Sequence, residues 1–486
     1  MNILFIYSLN SIQSTIKPLS RQEQMQFGIS YISSLLKKNG HQTKLLVLSR
    51  VLKKKNETYL DKYIKDFQPS LICLTTVTTE YQFMAKIAAY IKSHYPGVFL
   101  IFGGPHVSLN PDEVIASECD ALCVGEGEYP VLELVTQLEK EVPPSDIANL
   151  WIKQDSCIGK TPPRQFLQDI DSLPFPDREM WQDWIFEEAQ VSHSVLAGRG
   201  CPFLCTYCSN HALKKLAPGT YVRFRSPENI TREIKSLSER FPDMREIYLE
   251  VETFGVDKKW AMELAAELEN LNRTLSNPIA YGANLRITPG AEFDELFTAF
   301  SGCNFRFINI GLESGSERVR KEILKRNYSN EDIIRAVESA RNHGLQVALF
   351  NMIGLPNETL EDHMETVKMN RICLPDWHHT SIFFPYPGTD LYLLCQEQGL
   401  LDKPLDTDME RAKATMNLSG FSKRQIQRSY DWFDYYVYKG HIPSYKLLTR
   451  VLLLKLRENS IFTFLIRILS KLGVIKPLRT LVKRLF

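Results

Sequence analysis

The chain has 486 residues, which exceeds one average domain, so we expect two or three domains. Hydrophobic residues make up 44% and charged residues 24%, as in ordinary globular proteins, and the ten scattered cysteines do not suit a secreted disulfide scaffold. The net charge of +1 hides an asymmetry. Residues 441–486 hold ten Lys or Arg and one acidic residue, hence +9, which leaves about −8 for the first 440 residues.

The N-terminal sequence MNILFIY lacks both a basic segment and a small-residue cleavage site, so it predicts a buried strand rather than a signal peptide. No uninterrupted apolar run approaches the roughly 20 residues that a membrane-spanning helix needs. We therefore expect a cytoplasmic protein.

The first 142 residues alternate short apolar runs with amphipathic segments. The runs predict strands at 3–7, 44–48, 71–75, 99–102 and 121–124, and helix-period apolar positions predict helices at 26–38 and 81–93. This alternation favours an α/β fold with a doubly wound parallel sheet. Ligands of such sheets bind at the carboxyl ends of the strands.

Residues 143–190 are rich in proline and aromatic residues, which predicts a wrapping linker. Alternation resumes from 191 to 405, with strands predicted at 194–197, 246–250, 279–283, 306–310, 346–352 and 380–384. Six strand–helix units are fewer than the eight of a closed barrel, so we predict a partial (β/α)₆ barrel of TIM type. Residues 406–486 are expected to be helical.

A tight cysteine group follows the first predicted barrel strand. Cys201, Cys205 and Cys208 lie in the sequence GRGCPFLCTYC. Three thiolates in one loop can hold a [4Fe–4S] cluster, in which three protein ligands for four irons leave one iron open. The alternatives are a chance grouping or a zinc site completed by His211, although zinc sites more often show paired Cys-x₂-Cys spacing.

This cysteine motif, at the start of a strand-rich α/β region, resembles that of the radical S-adenosylmethionine (SAM) superfamily. The resemblance implies that the open iron chelates the amino and carboxylate groups of SAM, whose reductive cleavage releases methionine and a 5′-deoxyadenosyl radical. It also implies that Tyr207, the aromatic residue before the last cysteine, lies near the adenine. An electron donor such as flavodoxin or ferredoxin is the implied protein partner.

Polar residues at the ends of later barrel strands also resemble SAM contacts of that superfamily. The sequence GLESGS at 311–316 offers Glu313 and Ser314, and its glycines permit close backbone approach. Glu250 and Glu252 end the second predicted strand, and Arg286, which suits a carboxylate, ends the third. A structural salt bridge is the alternative for each of these three residues.

Two further turn motifs follow the fifth and sixth predicted barrel strands. They are GLP at 354–356 and PYPGT at 385–389. We interpret both as shaping the mouth of the barrel cavity, and we assign no catalytic residue.

A flavodoxin-like sheet before such a barrel resembles the cobalamin (B12)-dependent branch of the superfamily. The residues that carry this resemblance are Gly103, Gly104 and His106 of GGPH after the fourth strand, and Gly125 and Gly127 of GEGE after the fifth. Glycines at strand ends let backbone amides approach a large planar ligand or its phosphate-bearing tail.

Two threonines and one missing motif complete the case for cobalamin. Thr75 and Thr76, after the third strand, are predicted to hydrogen-bond the tail of the cofactor. The chain lacks the Asp-x-His-x-x-Gly motif that supplies a lower cobalt ligand in methionine-synthase-like proteins, so cobalt is expected without a protein histidine ligand. The alternative for His106 is a strand-end residue satisfied by the backbone.

The basic C-terminal tail interleaves apolar residues with ten cations between Tyr445 and Phe486. Basic amphipathic helices of this type lie in anionic membrane surfaces, so we predict peripheral association with the inner face of the membrane. A helical hairpin packed on the barrel is the alternative. Nucleic acid is not expected, because aromatic and glycine residues suited to base stacking are sparse there.

Together these features predict a cobalamin-dependent radical SAM enzyme. In the leading hypothesis the radical abstracts hydrogen from an unactivated carbon of a lipid-like or natural-product substrate, which is then C-methylated. One alternative keeps both cofactors for cyclisation or rearrangement without methyl transfer. Another, from a different class, is a non-catalytic iron–sulfur redox or sensor protein.

Overall fold

The computed structural model describes residues 1–9, 17–19, 24–154, 157–185, 191–401, 405–407 and 410–457, with the backbone alone for 456–457. These residues form two compact units. The first comprises Met1–Arg286, Asp294–Ile308 and Pro385–Leu393, and the second comprises the described parts of Ile287–Phe293, Asn309–Phe384 and Leu394–Phe486.

The first unit begins with a seven-stranded sheet in the order β2-β1-β3-β4-β5-β6-β7. Its strands are β1 (Asn2–Leu9), β2 (Gln42–Ser49), β3 (Leu71–Thr75), β4 (Phe99–Gly103), β5 (Ala121–Cys123), β6 (Leu150–Gln154) and β7 (Cys157–Lys160). The helices are α1 (Phe27–Lys38), α2 (Lys55–Phe67), α3 (Thr78–His94), α4 (Pro105–Leu109), α5 (Pro111–Ile115) and α6 (Glu128–Glu139). Strands β1 to β5 are parallel, which confirms the predicted doubly wound sheet.

Both faces of this sheet are buried, because successive side chains of a strand point to opposite faces. Along β1, Ile3 and Phe5 enter the apolar core on one face, and Leu4 and Ile6 enter the core on the other. This is why the strands read as continuous apolar runs rather than as alternating ones.

The segment expected as a linker contributes regular structure. Strands β6 and β7 form an antiparallel hairpin that extends the sheet beyond β5. Residues 170–185, here called the strap, then wrap around the sheet. Trp181 is fully buried and donates its indole N–H to Ser30 Oγ (2.8 Å), and Trp184 donates to the Leu45 carbonyl (3.2 Å).

The following strands are β8 (Ser192–Leu196), β9 (Gly198–Arg199), β10 (Arg223–Phe224), β11 (Glu246–Phe254), β12 (Ala280–Leu285), β13 (Phe305–Glu313), β14 (Gln346–Ile353) and β15 (Trp377–Ile382). The helices are α7 (Ser209–Leu213), α8 (Pro227–Arg240), α9 (Lys258–Thr274), α10 (Asp294–Gly302), α11 (Asn330–Asn342), α12 (Leu360–Cys373) and α13 (Asp390–Glu397). Six strands follow the order β8-β11-β12-β13-β14-β15, which confirms the partial parallel barrel. Capping boxes at Ser329 and Thr359 begin α11 and α12.

The described C-terminal part of the second unit is mostly helical from Lys423 onward, which confirms the predicted helical C-terminus, whereas residues 410–421 contain no helix. It contains α14 (Lys423–Asp431), α15 (Phe433–Tyr438) and α16 (Ser444–Arg457). Leu447 and Val451 of α16 are buried, whereas Leu448 and Leu452 are 46% and 56% exposed. Among the described residues, no helix combines the length and apolarity required to cross a membrane. Most of the basic tail, residues 458–486, lies outside the described residues.

Candidate active site

A cavity of about 390 Å³ lies at the carboxyl ends of β3, β4 and β5. Five residues predicted to bind a cofactor line it, namely Thr75, Gly103, Gly104, Gly125 and Gly127. Most of the remaining lining is apolar, including Phe27, Ile32, Ile101, Val131, Phe166 and Leu216. The cavity therefore occupies the position at which doubly wound sheets bind their ligands.

Backbone conformation explains one of these glycines directly. Gly104 has φ +104°, and a Cβ atom built there would lie 2.6 Å from the Thr76 carbonyl oxygen. No other residue fits that position without moving the backbone, so the loop after β4 can pack directly on Thr75 and Thr76 at the end of β3.

Two other predicted residues do not line this cavity. His106 is buried against Tyr81 with ring centroids 4.6 Å apart, and its Nδ1 lies 3.3 Å from Thr78 Oγ1. Burial lowers the pKa of His106 to about 4, so the ring is neutral at physiological pH. The geometry thus favours a structural role for His106, although its partners are side chains rather than the backbone, and its buried Nε2 lies 3.6 Å from Glu113 Oε2 without a hydrogen bond. The Thr76 hydroxyl is also buried and off the cavity.

The absence of a histidine from the cavity agrees with the missing sequence motif. Among the described residues that line the cavity, none is a histidine. A cobalt ion held in this cavity would have no imidazole ligand from these residues.

The cysteine loop begins where β9 pairs with β10 in a short antiparallel ladder. Gly200 follows β9 with φ +85°, and a Cβ atom there would lie 2.2 Å from the Tyr221 carbonyl oxygen. Cys201 and Cys205 are buried, Cys208 is half-buried, and none of them forms a disulfide. The loop thus holds three free thiols within the eight residues from Cys201 to Cys208.

Burial favours the protonated form of the Cys201 and Cys208 thiols in the chain without a metal. Burial, reinforced by the nearby Glu252 carboxylate, raises the pKa of the Cys208 thiol to about 11. A coordinated metal deprotonates a thiol outright. Within the described residues, no set of His, Cys, Asp or Glu side chains converges on a single metal ion. A cuboidal cluster does not require such convergence, because its three cysteines bind three different irons.

His211 does not complete a zinc site. Its Nδ1 lies 2.7 Å from the Cys208 carbonyl oxygen and its Nε2 lies 3.0 Å from Asp390 Oδ1. Both ring nitrogens are occupied by other groups, so the zinc alternative loses its fourth ligand.

Arg286 lies against the cysteine loop. Its Nη1 donates to Cys205 Sγ at 2.9 Å, and its guanidinium carbon lies 3.7 Å from the centroid of the Phe203 ring. Hydrogen bonds to ligand sulfurs are one of the means by which proteins set cluster potentials. Tyr207 is half-buried in the same loop. Glu250 is half-buried within β11. This strand continues to Phe254, four residues beyond the end that the sequence predicted.

The GLESGS segment lies in the second unit. Glu313 has φ +61° and pairs with Arg326. Ser314 is fully buried, and its hydroxyl accepts the Ser316 amide N–H at 3.2 Å and lies 3.4 Å from Thr366 Oγ1. This burial favours a structural role for Ser314 over a contact with SAM.

The turn motif at 385–389 leads into α13, which begins beside the cysteine loop. Gly388 has φ +88°, and a Cβ atom there would lie 3.0 Å from Leu109 Cβ. Three residues further on, the Leu391 amide donates to the Thr206 carbonyl at 3.0 Å. This segment therefore supports the cysteine loop directly.

Sequence reasoning missed an ion-pair network that also lines the cavity. Glu126 Oε1 accepts Arg199 Nη1 at 3.0 Å, Glu128 Oε1 accepts Arg199 Nη2 at 2.6 Å, and Arg223 Nη1 lies 3.0 Å from the Glu126 carboxylate. Burial raises the pKa of Glu126, but the two guanidinium groups outweigh it, so the pKa lies below its usual value. The only sequence signal was the presence of two glutamates in the GEGE motif.

Comparison with known proteins finds a family match for each of the two predicted cofactor-binding regions. The family described as the B12 binding domain matches residues 20–135, and the Radical SAM superfamily matches residues 195–369. An uncharacterized methyltransferase of Pyrococcus horikoshii is 27% identical over 88% of this chain and 90% of its own. The anaerobic magnesium-protoporphyrin IX monomethyl ester cyclase of Rubrivivax gelatinosus is 24% identical over 79% of this chain and 67% of its own.

Among solved structures, the radical SAM methyltransferase TsrM from Kitasatospora setae, with cobalamin and a [4Fe–4S] cluster bound, superposes with a TM-score of 0.65. It shares 17% sequence identity, and the match covers 83% of this chain and 79% of TsrM. At that identity the likeness establishes the common fold.

Proposed function

The chain belongs to the radical SAM superfamily and carries a B12 binding domain, and we propose that it is a C-methyltransferase that acts on an unactivated carbon of a lipid-like or natural-product small molecule. The family uses a [4Fe–4S] cluster, SAM and cobalamin. When bound, these groups supply a 5′-deoxyadenosyl radical for hydrogen abstraction and a methyl group for the resulting carbon radical.

The observation that carries this proposal is the lining of the cavity. It is formed by the ends of β3 to β5 and also by Arg199 and Gly200, the residues that immediately precede Cys201. A cobalamin held at the strand ends would therefore face the segment that holds the cluster. Methyl transfer requires such proximity of the two cofactors.

The chain's own residues have separable tasks in this proposal. The three thiols hold the cluster, and the Arg286 guanidinium donates to Cys205 Sγ, which fixes the orientation of that sulfur. Gly104 and Gly125, both at positive φ, give a planar ligand close access to the backbone. The mostly apolar lining offers water few hydrogen-bonding partners beside a bound ligand.

Methyl-labelled SAM tests the proposal directly. The full chain is reconstituted anaerobically with iron, sulfide and hydroxocobalamin, reduced, and incubated with an organic extract of source cells. We expect 5′-deoxyadenosine and transfer of the label into an extractable product. Cys205→Ser should abolish both, whereas Cys303→Ser, at a buried cysteine that donates to the Phe300 carbonyl, should retain them. Label found only in methionine would contradict methyl transfer.

A second candidate, cyclisation or rearrangement without methyl transfer, is favoured by the similarity to the protoporphyrin ester cyclase. In that case 5′-deoxyadenosine forms, a product of altered ring structure accumulates, and no label enters it. A non-catalytic redox or sensor protein would produce no 5′-deoxyadenosine with any extract.

Among the described residues, one apolar face of α16 is exposed, and this exposure supports a lipid-like substrate and peripheral membrane association. On α16, Tyr445, Leu448 and Leu452 are exposed at helical spacing, with Lys446 on the same helix. Apolar side chains flanked by cations suit an anionic lipid surface. We propose that this helix and the basic residues after it bring the enzyme to the inner face of the membrane, where an apolar substrate is available.

Vesicle flotation tests this part of the proposal. Full-length protein should float with vesicles that contain anionic lipid, and the double variant Leu448→Glu, Leu452→Glu should float less. Ile372→Glu is the matched control, because Ile372 is 50% exposed on α12. Equal flotation of all three proteins, or none, would contradict membrane association.

An electron donor completes the proposal. Reduction of a [4Fe–4S] cluster requires single electrons, which flavodoxin or ferredoxin supplies. We expect reduced flavodoxin to support 5′-deoxyadenosine formation, and a protein that responds only to a chemical reductant would contradict this partner.

A further inference from the structure

The ion-pair network of Glu126, Glu128, Arg199 and Arg223 joins two binding elements within the first unit. Glu126 lies between Gly125 and Gly127, which line the cavity, and Glu128 begins α6. Arg199 is the second residue before Cys201, and Arg223 pairs with it across the β9–β10 ladder. Movement of either element therefore changes the position of a charged group on the other.

The network is well buried and its charges balance. The side chains of Glu128 and Arg223 are each 5% exposed, Arg199 is 16% exposed and Glu126 is 20% exposed. Two carboxylates face two guanidinium groups, and opposing carboxylates raise the pKa of Arg199 despite its burial. Removing one partner of a buried pair leaves an uncompensated charge, so the four groups hold one another in place.

Backbone contacts extend the same network. Glu126 Oε2 accepts the Leu167 amide N–H at 2.8 Å, and Arg223 Nη1 donates to the Leu167 carbonyl at 2.8 Å. The guanidinium of Arg199 also lies over the Tyr31 ring of α1 at 5.3 Å. Glu126 thus contacts the cavity rim, the cysteine-loop ladder and the 167 segment together.

We propose that this network couples the two cofactor sites thermodynamically, with Glu126 and Arg199 as positioning residues, so that assembly of the cluster tightens cobalamin binding. The inference rests on the proposed function. A cluster on Cys201, Cys205 and Cys208 fixes the cysteine loop, and through Arg199 it fixes the GEGE loop. A ligand of the cavity then binds a rim that is already ordered and loses less conformational entropy.

Coupling between two sites is reciprocal. If the cluster raises cobalamin affinity by some factor, cobalamin raises cluster affinity by the same factor, and factors of roughly 5 to 150 are typical of such coupling. A merely structural role would lower both affinities and leave their ratio unchanged. The ratio of dissociation constants with and without the cluster is therefore the diagnostic quantity.

Equilibrium dialysis with hydroxocobalamin measures this ratio for the full chain, before and after anaerobic reconstitution with iron and sulfide. We expect the cluster to tighten binding about 5-fold or more in the native sequence. The ratio should fall towards one in Glu126→Gln, which removes a charge at constant shape. It should also fall in Arg199→Lys, because one ammonium cannot bridge both carboxylates as the guanidinium fork does.

Glu133→Gln is the matched control. Glu133 lies on the same helix α6 and pairs with Arg164 at 2.8 Å, but its side chain is 47% exposed and lies off the cavity. This variant should keep the native ratio. Cobalamin binding that is equally tight with and without the cluster, or an unchanged ratio in both network variants, would overturn the coupling alone. Native protein that acquires a cluster but binds no hydroxocobalamin would overturn the proposed function as well.

Discussion

Replacement of Gly200 by alanine tests whether the cysteine loop depends on a residue without a side chain. Gly200 has φ +85° and lies directly before Cys201. The new Cβ atom would lie 2.2 Å from the Tyr221 carbonyl oxygen and 3.0 Å from the Tyr221 ring. Because the first of these atoms belongs to the backbone, a side-chain rotation cannot relieve the overlap.

The expected loss of stability has two parts, a backbone cost and an overlap cost, and the same substitution at a second glycine measures the first part alone. Left-handed backbone costs an alanine about 1 to 2 kcal/mol, and an added overlap in a packed site costs about 1 to 3 kcal/mol more. Gly40 has φ +86°, yet a Cβ atom there meets nothing within 4 Å. Gly40→Ala therefore bears only the backbone cost, and Gly200→Ala bears both, about 2 to 5 kcal/mol in total.

Chemical denaturation and iron content after reconstitution provide the assay. We expect Gly200→Ala to unfold at a clearly lower denaturant concentration than Gly40→Ala and to retain less iron per chain, because the overlap displaces Cys201 from the β9–β10 ladder. Gly40→Ala should retain the native iron content. Equal denaturation midpoints and equal iron in the two variants would refute the steric reasoning.

Three further predictions concern other groups. Burial raises the pKa of Glu358 to about 8, so its contribution to stability is complete below the unfolded pKa near 4.5 and is lost as pH rises towards 8. The free energy of unfolding should fall by up to about 5 kcal/mol over that window, and denaturation from pH 5 to 9 should show this fall in the native protein and not in Glu358→Gln. His106→Gln should change the affinity for hydroxocobalamin by less than about 2-fold, or under about 0.4 kcal/mol, because the ring lies off the cavity. In the same dialysis, Gly104→Ala should abolish measurable binding. Arg286→Gln, which removes the charged donor to Cys205 Sγ, should lower the cluster midpoint potential by on the order of 60 mV, about 1.4 kcal/mol for a one-electron couple; a redox titration that finds no shift would contradict this role.

The sequence predicted those strands whose hydrophobic pattern is unambiguous. All five parallel strands of the first sheet and all six of the partial barrel were located to within a few residues, because buried strands read as apolar runs between helices. The family resemblance rested on motifs at the ends of these strands, and it was confirmed. The hairpin of β6 and β7 was missed, because an edge hairpin lies half in solvent and carries a weak, interrupted pattern.

The sequence could not predict which side chains pair when their positions lie far apart along the chain. Arg199 and Glu126 are 73 positions apart, and nothing local marks them as a pair. His106 shows the converse limit. Its position after β4 was predicted, but which side of the short helix α4 it would occupy depends on packing against Tyr81.

The strap has a consequence for how the N-terminal part of the chain can be separated from the rest. Met180, Trp181 and Ile185 belong to the same apolar core as β1 and α1, and the Leu19 amide donates to the Trp184 carbonyl at 3.0 Å. A fragment that ended at residue 142 would keep α1 and α6 on this face of the sheet but would expose the part that Met180, Trp181 and Ile185 cover, and Ser30 would lose its indole donor. We therefore expect a stable N-terminal module to extend through Ile185, so that swapping such modules between enzymes means exchanging the strap together with the sheet that it covers.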